Sequence, residues 1–238
     1  MSSLERTDSA SKGDPDVEGS AQVRLGNYYR ELSKELAARP ERIHSVPERQ
    51  REFAQLVRKS CLFARRSSVL ELACGIGFWT EKMAPHASSI FATDICEEAL
   101  AIARQRISSP IVRFARADAM SLELHELNCN RVFGGFWLSH IKRLSLANFF
   151  DRFHRHLSPG TDALFVENEY PDRQSRPFES VTHEGDTYEL RRLKDGSEHL
   201  VLKNYFTDGE LLESLGPRAE GVQIERTAYY WSVRYRLT

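Results

Sequence analysis

The chain has 238 residues, enough for one domain with a cap or tail, and its 41% hydrophobic content suffices to bury a sizeable core. Lys plus Arg number 33 against 34 Asp plus Glu, a formal net charge of -1, so no overall field draws the chain to nucleic acid or anionic lipid. Neither partner is expected, and no run approaches the ~20 apolar residues needed to span a bilayer.

The first twenty residues, MSSLERTDSASKGDPDVEGS, lack the apolar stretch of a signal peptide. Cys61, Cys74, Cys96 and Cys129 form no C-x-x-C pair and no Cys/His cluster. A soluble protein of the reducing cytoplasm is the expectation.

Residues 1–20 are too polar to offset the entropy of ordering them and read as a disordered tail. Residues 21–65 form a helical cap. Its helices run from Leu25 to Ala38 and from Pro47 to Leu62, with Phe53, Leu56 and Val57 on one face and Ser45 and Glu48 in capping-box register.

Ser68 to Ala73 then reads as a strand, followed by a glycine turn and a helix from Phe78 to about Ala84. Ser89–Thr93 is a strand, Cys96–Ile107 a helix, and Ile111–Ala115 and Arg131–Trp137 further strands. A helix over Leu146–Leu157 leads through Ser158, Pro159 and Gly160 to the strand Ala163–Val166. This alternation predicts an α/β domain over 66–238, built on a mostly parallel sheet with helices on both faces.

Beyond Tyr170 the pattern changes. Pro171–Ser180 is loop-like, and Thr187–Arg192, Leu200–Phe206 and Thr227–Leu237 read as antiparallel strands, with a helix over Asp208–Leu215 between the last two. Residues 171–199 form an insertion on the substrate side. No internal repeat is present.

In open parallel sheets ligands bind beyond the carboxyl ends of the strands, near the point where strand order reverses. The turn after the first strand reads Glu71-Leu-Ala73-Cys-Gly75-Ile-Gly77-Phe-Trp79, where Gly75 and Gly77 let the backbone approach a ligand closely. A dinucleotide fingerprint calls for glycine or alanine three residues after Gly77, and Thr80 stands there. Glu71 would repel a pyrophosphate but welcome an ammonium group. Asp94, ending the second strand, is placed to accept from ribose hydroxyls. Asp118 and Ala119, past the third strand, are placed to meet an adenine.

ELACGIGFWT, FATD, RADA and FGGFWLSH together resemble the successive motifs of class I S-adenosylmethionine-dependent methyltransferases, from about residue 66 to 168. The resemblance implies a Rossmann-like fold, with a seven-stranded sheet that is mostly parallel and has an antiparallel C-terminal strand. It implies S-adenosyl-L-methionine as cofactor and an oxygen or nitrogen of a small molecule as methyl acceptor. Glu71, Ala73, Gly75 and Gly77 would surround the methionine half, Asp94 would hold the ribose and Asp118 with Ala119 the adenine, with Trp79 and Ile95 as further cofactor-binding candidates. Ala73 departs from the glycine more common in the family. GFWLSH, RRLKDG and VLKNYF are further similar to bacterial small-molecule methyltransferases of the dehydrophos phosphonate O-methyltransferase kind, which suggests natural-product biosynthesis.

Each candidate has a plainer reading. The glycines could merely make a tight turn, and Asp94 could cap the following helix while also binding ribose. His140 is either a base or orienting group beside the acceptor, or a structural histidine. Trp137 either faces the sulfonium or packs in the core. Lys203 is the expected cation for an anionic acceptor, whereas Arg191 and Arg192 read as exposed hairpin residues. Tyr28 and Tyr29 open the first helix, and Tyr29 either closes over the cofactor, as such segments do in the family, or packs in the core. His154 and His156 lack partners at ligand spacing, so no metal is expected.

Two other function classes remain on this fold. A nicotinamide-dependent oxidoreductase is disfavoured by Thr80 and Glu71, and a nonenzymatic binding module by the intact cofactor motif. The sequence carries no signature of a particular oligomeric state.

Overall fold

A computed structural model of the protein describes residues 18–37, 46–121, 129–170 and 178–238. Two helices come first, α1 (Glu18–Ala37) and α2 (Pro47–Ala64). Then follow β1 (Ser68–Leu72), α3 (Phe78–Met83), β2 (Ser89–Asp94), α4 (Glu97–Arg106), β3 (Val112–Arg116), β4 (Arg131–Gly135), a 3₁₀ turn at Leu138–His140, α5 (Arg143–Arg155) and β5 (Asp162–Asn168). A small unit of β6 (Ser180–Val181), β7 (Thr187–Arg192) and β8 (Glu198–Leu202) precedes α6 (Asp208–Leu215), β9 (Ala219–Arg226) and β10 (Tyr230–Leu237).

The main sheet has the order β3-β2-β1-β4-β5-β10-β9. β1 pairs in parallel with both β2 and β4, so strand order reverses there. β10 runs antiparallel to β5 on one side and to β9 on the other, so it alone opposes the remaining six strands. This is the mostly parallel sheet with an antiparallel C-terminal strand that the motifs imply. β6, β7 and β8 form a separate antiparallel sheet.

Burial explains the pattern. β1 and β5 are buried on both faces, as central strands between two helical layers must be. Edge strand β9 keeps many charged and polar residues in solvent, which blocks edge-to-edge association. On one face Leu70, Leu72, Val132 and Phe165 pack with Phe149, Phe150 and Phe153 of α5 and Leu211 and Leu215 of α6. On the other face Val69, Ile90, Ala92 and Phe133 pack with Phe53 and Leu56 of α2, Trp79 of α3 and Leu100 of α4.

Several expectations shift. α1 begins at Glu18, so residues 18–20 are helical rather than part of a tail, because Glu18 to Ala21 carry no apolar spacing by which a sequence reading could detect the turn. The rest of the expected tail, residues 1–17, lies outside the described residues, as does Ser45. α2 starts instead from Val46 with Pro47 in its first turn and no side-chain cap, since proline's fixed φ supplies the geometry. A full capping box occurs at α6, where the Thr207 hydroxyl accepts from Glu210 N at 3.3 Å and Glu210 Oε2 accepts from Thr207 N at 2.7 Å. The strand expected over Leu200–Phe206 spans Glu198–Leu202, because the backbone of Asn204 turns to the Ser139 carbonyl at 2.7 Å. β9 has no counterpart in the expectation, its alternation being too polar to signal a strand. Among the described residues no helix is long and apolar enough to cross a membrane.

His154 lies inside the α5 face of the core, 1% exposed, with Nε2 2.8 Å from the Tyr235 hydroxyl. Burial, helped by the Arg218 charge, pushes its pKa down to about 4 from an ordinary 6.5. The unfolded chain therefore takes a proton near pH 6.5 that the folded chain refuses, and folded stability present above that pH is lost between 6.5 and 4. The loss amounts to about 1.4 kcal/mol per pH unit of separation. Urea unfolding of wild type from pH 7.5 to 4.5 should show this slope, and His154→Asn should flatten it. An unchanged slope in the variant would remove His154 as its source.

Candidate active site

The turn between β1 and α3 places three residues in the left-handed region within five positions: Ala73 (φ 50), Gly75 (φ 56) and Gly77 (φ 81). Ala73 bears the strain of a Cβ there, about 1–2 kcal/mol. Its neighbour is held, with Cys74 N donating to the Thr93 carbonyl at 2.9 Å. The two glycines differ in purpose. A Cβ on Gly77 would stand 2.6 Å from Ile107 Cδ1 and 3.2 Å from Ala103 Cβ, so Gly77 lets the turn pack on α4 rather than approach a ligand. A Cβ on Gly75 meets nothing within 4 Å, so this glycine faces open space.

Glu71 is 1% exposed. Its Oε2 accepts from the Thr80 hydroxyl at 2.6 Å, while Oε1 is buried with no hydrogen-bond partner among the described residues. Burial pushes this carboxyl up to about 8. Thr80, the residue that departs from the dinucleotide fingerprint, thus serves to hold Glu71.

Asp94 at the end of β2 accepts from Gly75 N and from Cys96 N, both at 2.8 Å. Burial raises its pKa, and these backbone bonds oppose that rise. Each carboxylate oxygen keeps a second lone-pair direction. Ile95 beside it is 50% exposed, an apolar surface at the crevice. Asp118 is half-buried, with Oδ1 accepting from Met120 N at 2.9 Å, and Ala119 is buried next to it.

Trp79, expected at the cofactor, is instead core. Its ring is 4% exposed and packs against Phe53, Phe133 and Phe136 at 5.9, 5.4 and 5.5 Å, and it fills the space where Gly135 would carry a Cβ. It sits one helical position past the turn, where the side chain points to the α2 layer. Trp137 is half-buried and edge-on to Phe149 at 5.0 Å. It follows Phe136, a non-glycine residue at φ 60, which sharply redirects the chain leaving β4.

Past that bend the 3₁₀ turn presents His140. Its Nδ1 lies 2.6 Å from the Leu202 carbonyl, which can only accept, so Nδ1 carries the proton and Nε2 the lone pair. The Tyr29 hydroxyl of α1 lies 2.5 Å from Nε2 and donates to it. Burial, reinforced by the charge of Lys203, pushes His140 down to about 3.

Lys203, 4% exposed, donates to the Ser139 hydroxyl at 2.7 Å and to Glu167 Oε2 at 3.2 Å. Glu167 Oε1 in turn accepts from Ser139 N at 3.1 Å and from its hydroxyl at 3.0 Å. Asn204 adds its side chain to the Ile141 carbonyl at 2.9 Å and to Asp186 at 2.8 Å. The ends of β5 and β8 are thereby locked to the turn that carries His140. The two arginines, read as exposed hairpin residues, differ from each other. Arg192 is exposed and paired with Glu198. Arg191 lies on the opposite face of β7 with Glu189, its ion-pair partner at 2.5 Å, and its Nε is buried without a hydrogen-bond partner among the described residues. That inner face packs on α1, where Tyr28 meets Leu193 and Val201.

Glu167, Asp186 and Asn204 were not foreseen. Glu167 had a usable signal: like Glu71 in Val-Leu-Glu-Leu, it is a carboxylate closing an apolar strand, Leu-Phe-Val-Glu-Asn. Among the described residues no group of His, Cys, Asp and Glu could hold a metal ion.

Comparison with known proteins agrees with this geometry. Residues 69–160 match a family model described as a methyltransferase domain. Nodulation protein S of Rhizobium tropici is 31% identical over 107 residues, 44% of this chain and 45% of that protein. Its counterpart in Sinorhizobium fredii is 31% identical over 103 residues, 42% and 48% of the two chains. The alignment thus spans about half the length of these curated relatives. Among solved structures, DhpI with SAH superposes with a TM-score of 0.72 at 22% identity over 93% of this chain and 98% of its own. The N-methyltransferase NodS of Bradyrhizobium japonicum with S-adenosyl-L-homocysteine gives 0.57 at 20% identity over 88% and 98%. Residues 69–160 thus match a methyltransferase domain across the glycine turn, and the chain as a whole shares the fold of these structures.

Proposed function

We propose that the protein moves the methyl group of S-adenosylmethionine to an oxygen of a small anionic acceptor, in a reducing, cytoplasmic setting that its free cysteines suit. The carrying observation is the buried Glu71 Oε1, without a hydrogen-bond partner among the described residues, on the strand that leads into the turn where Gly75 faces open space. A buried carboxylate with an idle oxygen suits an incoming ammonium group, which would stabilise its charged form. Glu71, Ala73 and Gly75 would then hold the amino-acid half of the cofactor, and Asp94 the ribose through its remaining lone pairs. Ile95, Asp118 and Ala119 would border the adenine, with Trp137 and Tyr29 closing the methyl end. The group supplies an electrophilic methyl on a sulfonium.

The acceptor end favours a nucleophile that arrives already ionised. His140 is a poor base, its lone pair taken by Tyr29 and its pKa pushed down to about 3. Two cations flank it. The Lys203 ammonium has three protons, two of them placed on Ser139 and Glu167, and the half-exposed Arg191 has a buried Nε without a hydrogen-bond partner among the described residues. A carboxylate, phosphonate or phosphate oxygen could take both donors and be held in line with the methyl. Likeness to the phosphonate O-methyltransferase group supports that class. NodS is an N-methyltransferase, but an amine acceptor would arrive as an ammonium cation and be repelled by the two cations here.

Thermal melting tests the cofactor. S-adenosylmethionine and S-adenosylhomocysteine should raise the melting temperature, by about 2.7 kcal/mol of added stability at a hundredfold excess over Kd, and NAD should not. Asp94→Ala should lose most of that gain. A shift with NAD alone would overturn the reading.

A second measurement addresses the acceptor. Formation of S-adenosylhomocysteine should be stimulated by small carboxylates, phosphonates or phosphate esters and not by primary amines. Arg191→Met should raise KM for the acceptor while S-adenosylhomocysteine binding stays constant. With the responding acceptor, kcat/KM should carry no limb near pH 6.5 beyond the acceptor's own ionisation, since His140 stays neutral down to about pH 3. A limb there, abolished by His140→Ala, would restore histidine as a base.

A further inference from the structure

Three anchors hold the glycine turn. Asp94 holds Gly75 N, and Ile107 with Ala103 packs against Gly77. The third is Arg106 in the last turn of α4. Its guanidinium donates through Nη1 to the Ile76 carbonyl at 3.1 Å and through Nη2 to Glu81 Oε2 of α3 at 2.8 Å. The side chain is only 18% exposed, so both bonds are partly shielded from water.

The carbonyl of Ile76 and the N–H of Gly77 belong to one trans peptide plane and point in opposite directions. Gly77 N donates to the Cys74 carbonyl at 3.0 Å. Arg106 and Cys74 therefore grip a single peptide plane from its two sides. That plane lies between two residues, Ile76 and Gly77, of which the second is a glycine free to occupy either sign of φ. Without a partner on the carbonyl the plane is freer to rotate, and the turn that carries Gly75 is held less firmly.

We propose that Arg106 is a positioning residue for the cofactor site: it touches no ligand but fixes the Ile76–Gly77 peptide so that the turn meets an adenosyl cofactor already in its binding shape. A flexible turn would be ordered at the expense of affinity, and a rigid one would not. The assignment rests on the cofactor reading above and adds a residue outside the motif.

Calorimetric titration with S-adenosylhomocysteine tests it without any methyl acceptor. Arg106→Met should bind roughly three- to tenfold more weakly, as expected for a lost charge-assisted hydrogen bond acting through geometry. Arg106→Lys, which can still reach the carbonyl, should recover much of the affinity, and Glu81→Gln, which leaves the guanidinium on Ile76, should stay within twofold of wild type, a bound of about 0.4 kcal/mol. Wild-type affinity in Arg106→Met, even with a lowered melting temperature, would show that Arg106 is merely structural. An equal loss in Glu81→Gln would assign the effect to the ion pair and overturn the carbonyl's role. Failure of wild type itself to bind the ligand would instead remove the cofactor reading, and this assignment with it.

Discussion

The Asp94 carboxylate is the contact on which the site depends. By accepting from Gly75 N and Cys96 N at 2.8 Å each, it ties the loop leaving β1 to the loop leaving β2. These two strands meet beside the topological reversal, so the bridge sits where the fold opens a crevice. The two backbone N–H bonds oppose the rise in pKa that burial causes, and the carboxylate oxygens keep further lone pairs for a ligand. Remove it and the left-handed run Ala73, Gly75 and Gly77 loses the partner that offsets its strain.

The other half of the site is built from a different material. Glu167, Ser139 and Lys203 form a buried, hydrogen-bonded charge network at the end of β5, and Asn204 with Asp186 extends it. Such a network contributes little net stability, because desolvation consumes most of the Coulombic gain. Its value is geometric: it locks the 3₁₀ turn and so aims His140 at Tyr29 and the Leu202 carbonyl. Polar groups fixed before a ligand arrives need no reorganisation when it does.

What the sequence made legible follows from how local each signal is. The alternation of apolar strands and helices is written in consecutive residues, and the parallel sheet, its helical layers and the lone antiparallel strand were readable from it together with the motifs. The glycine turn and Asp94 were readable because their spacing is short. Trp79 was misplaced because one helical position separates a residue facing the turn from one facing α2, and spacing does not resolve that. The burial of Lys203 beside Glu167 and the buried Nε of the half-exposed Arg191 were not written in the sequence. A hairpin's inner face is normally apolar, and here Glu189 and Arg191 stand on it as an ion pair beside the apolar contact of Leu193 and Val201 with Tyr28. The contact between Tyr29 and His140 joins residues 111 positions apart, and no local pattern encodes it.

α1 connects the two halves. Arg30 pairs with Glu98 at 2.9 Å on the cofactor side, and Leu36 packs with Ile76, Cys96 and Ala99. On the acceptor side Tyr28 packs with Leu193 and Val201, and Glu35 accepts from Lys194 N at 2.5 Å. Tyr29 lies between these contacts. The helix therefore covers the turn that would hold the cofactor and the histidine beside the acceptor at once, and its packing on either side bears on the other. Because the Arg30–Glu98 pair is about half exposed, it contributes little by itself. The apolar contacts at Ile76 and Val201 carry the docking energy, so the fit of α1 depends on the glycine turn and on β8 both holding their shape.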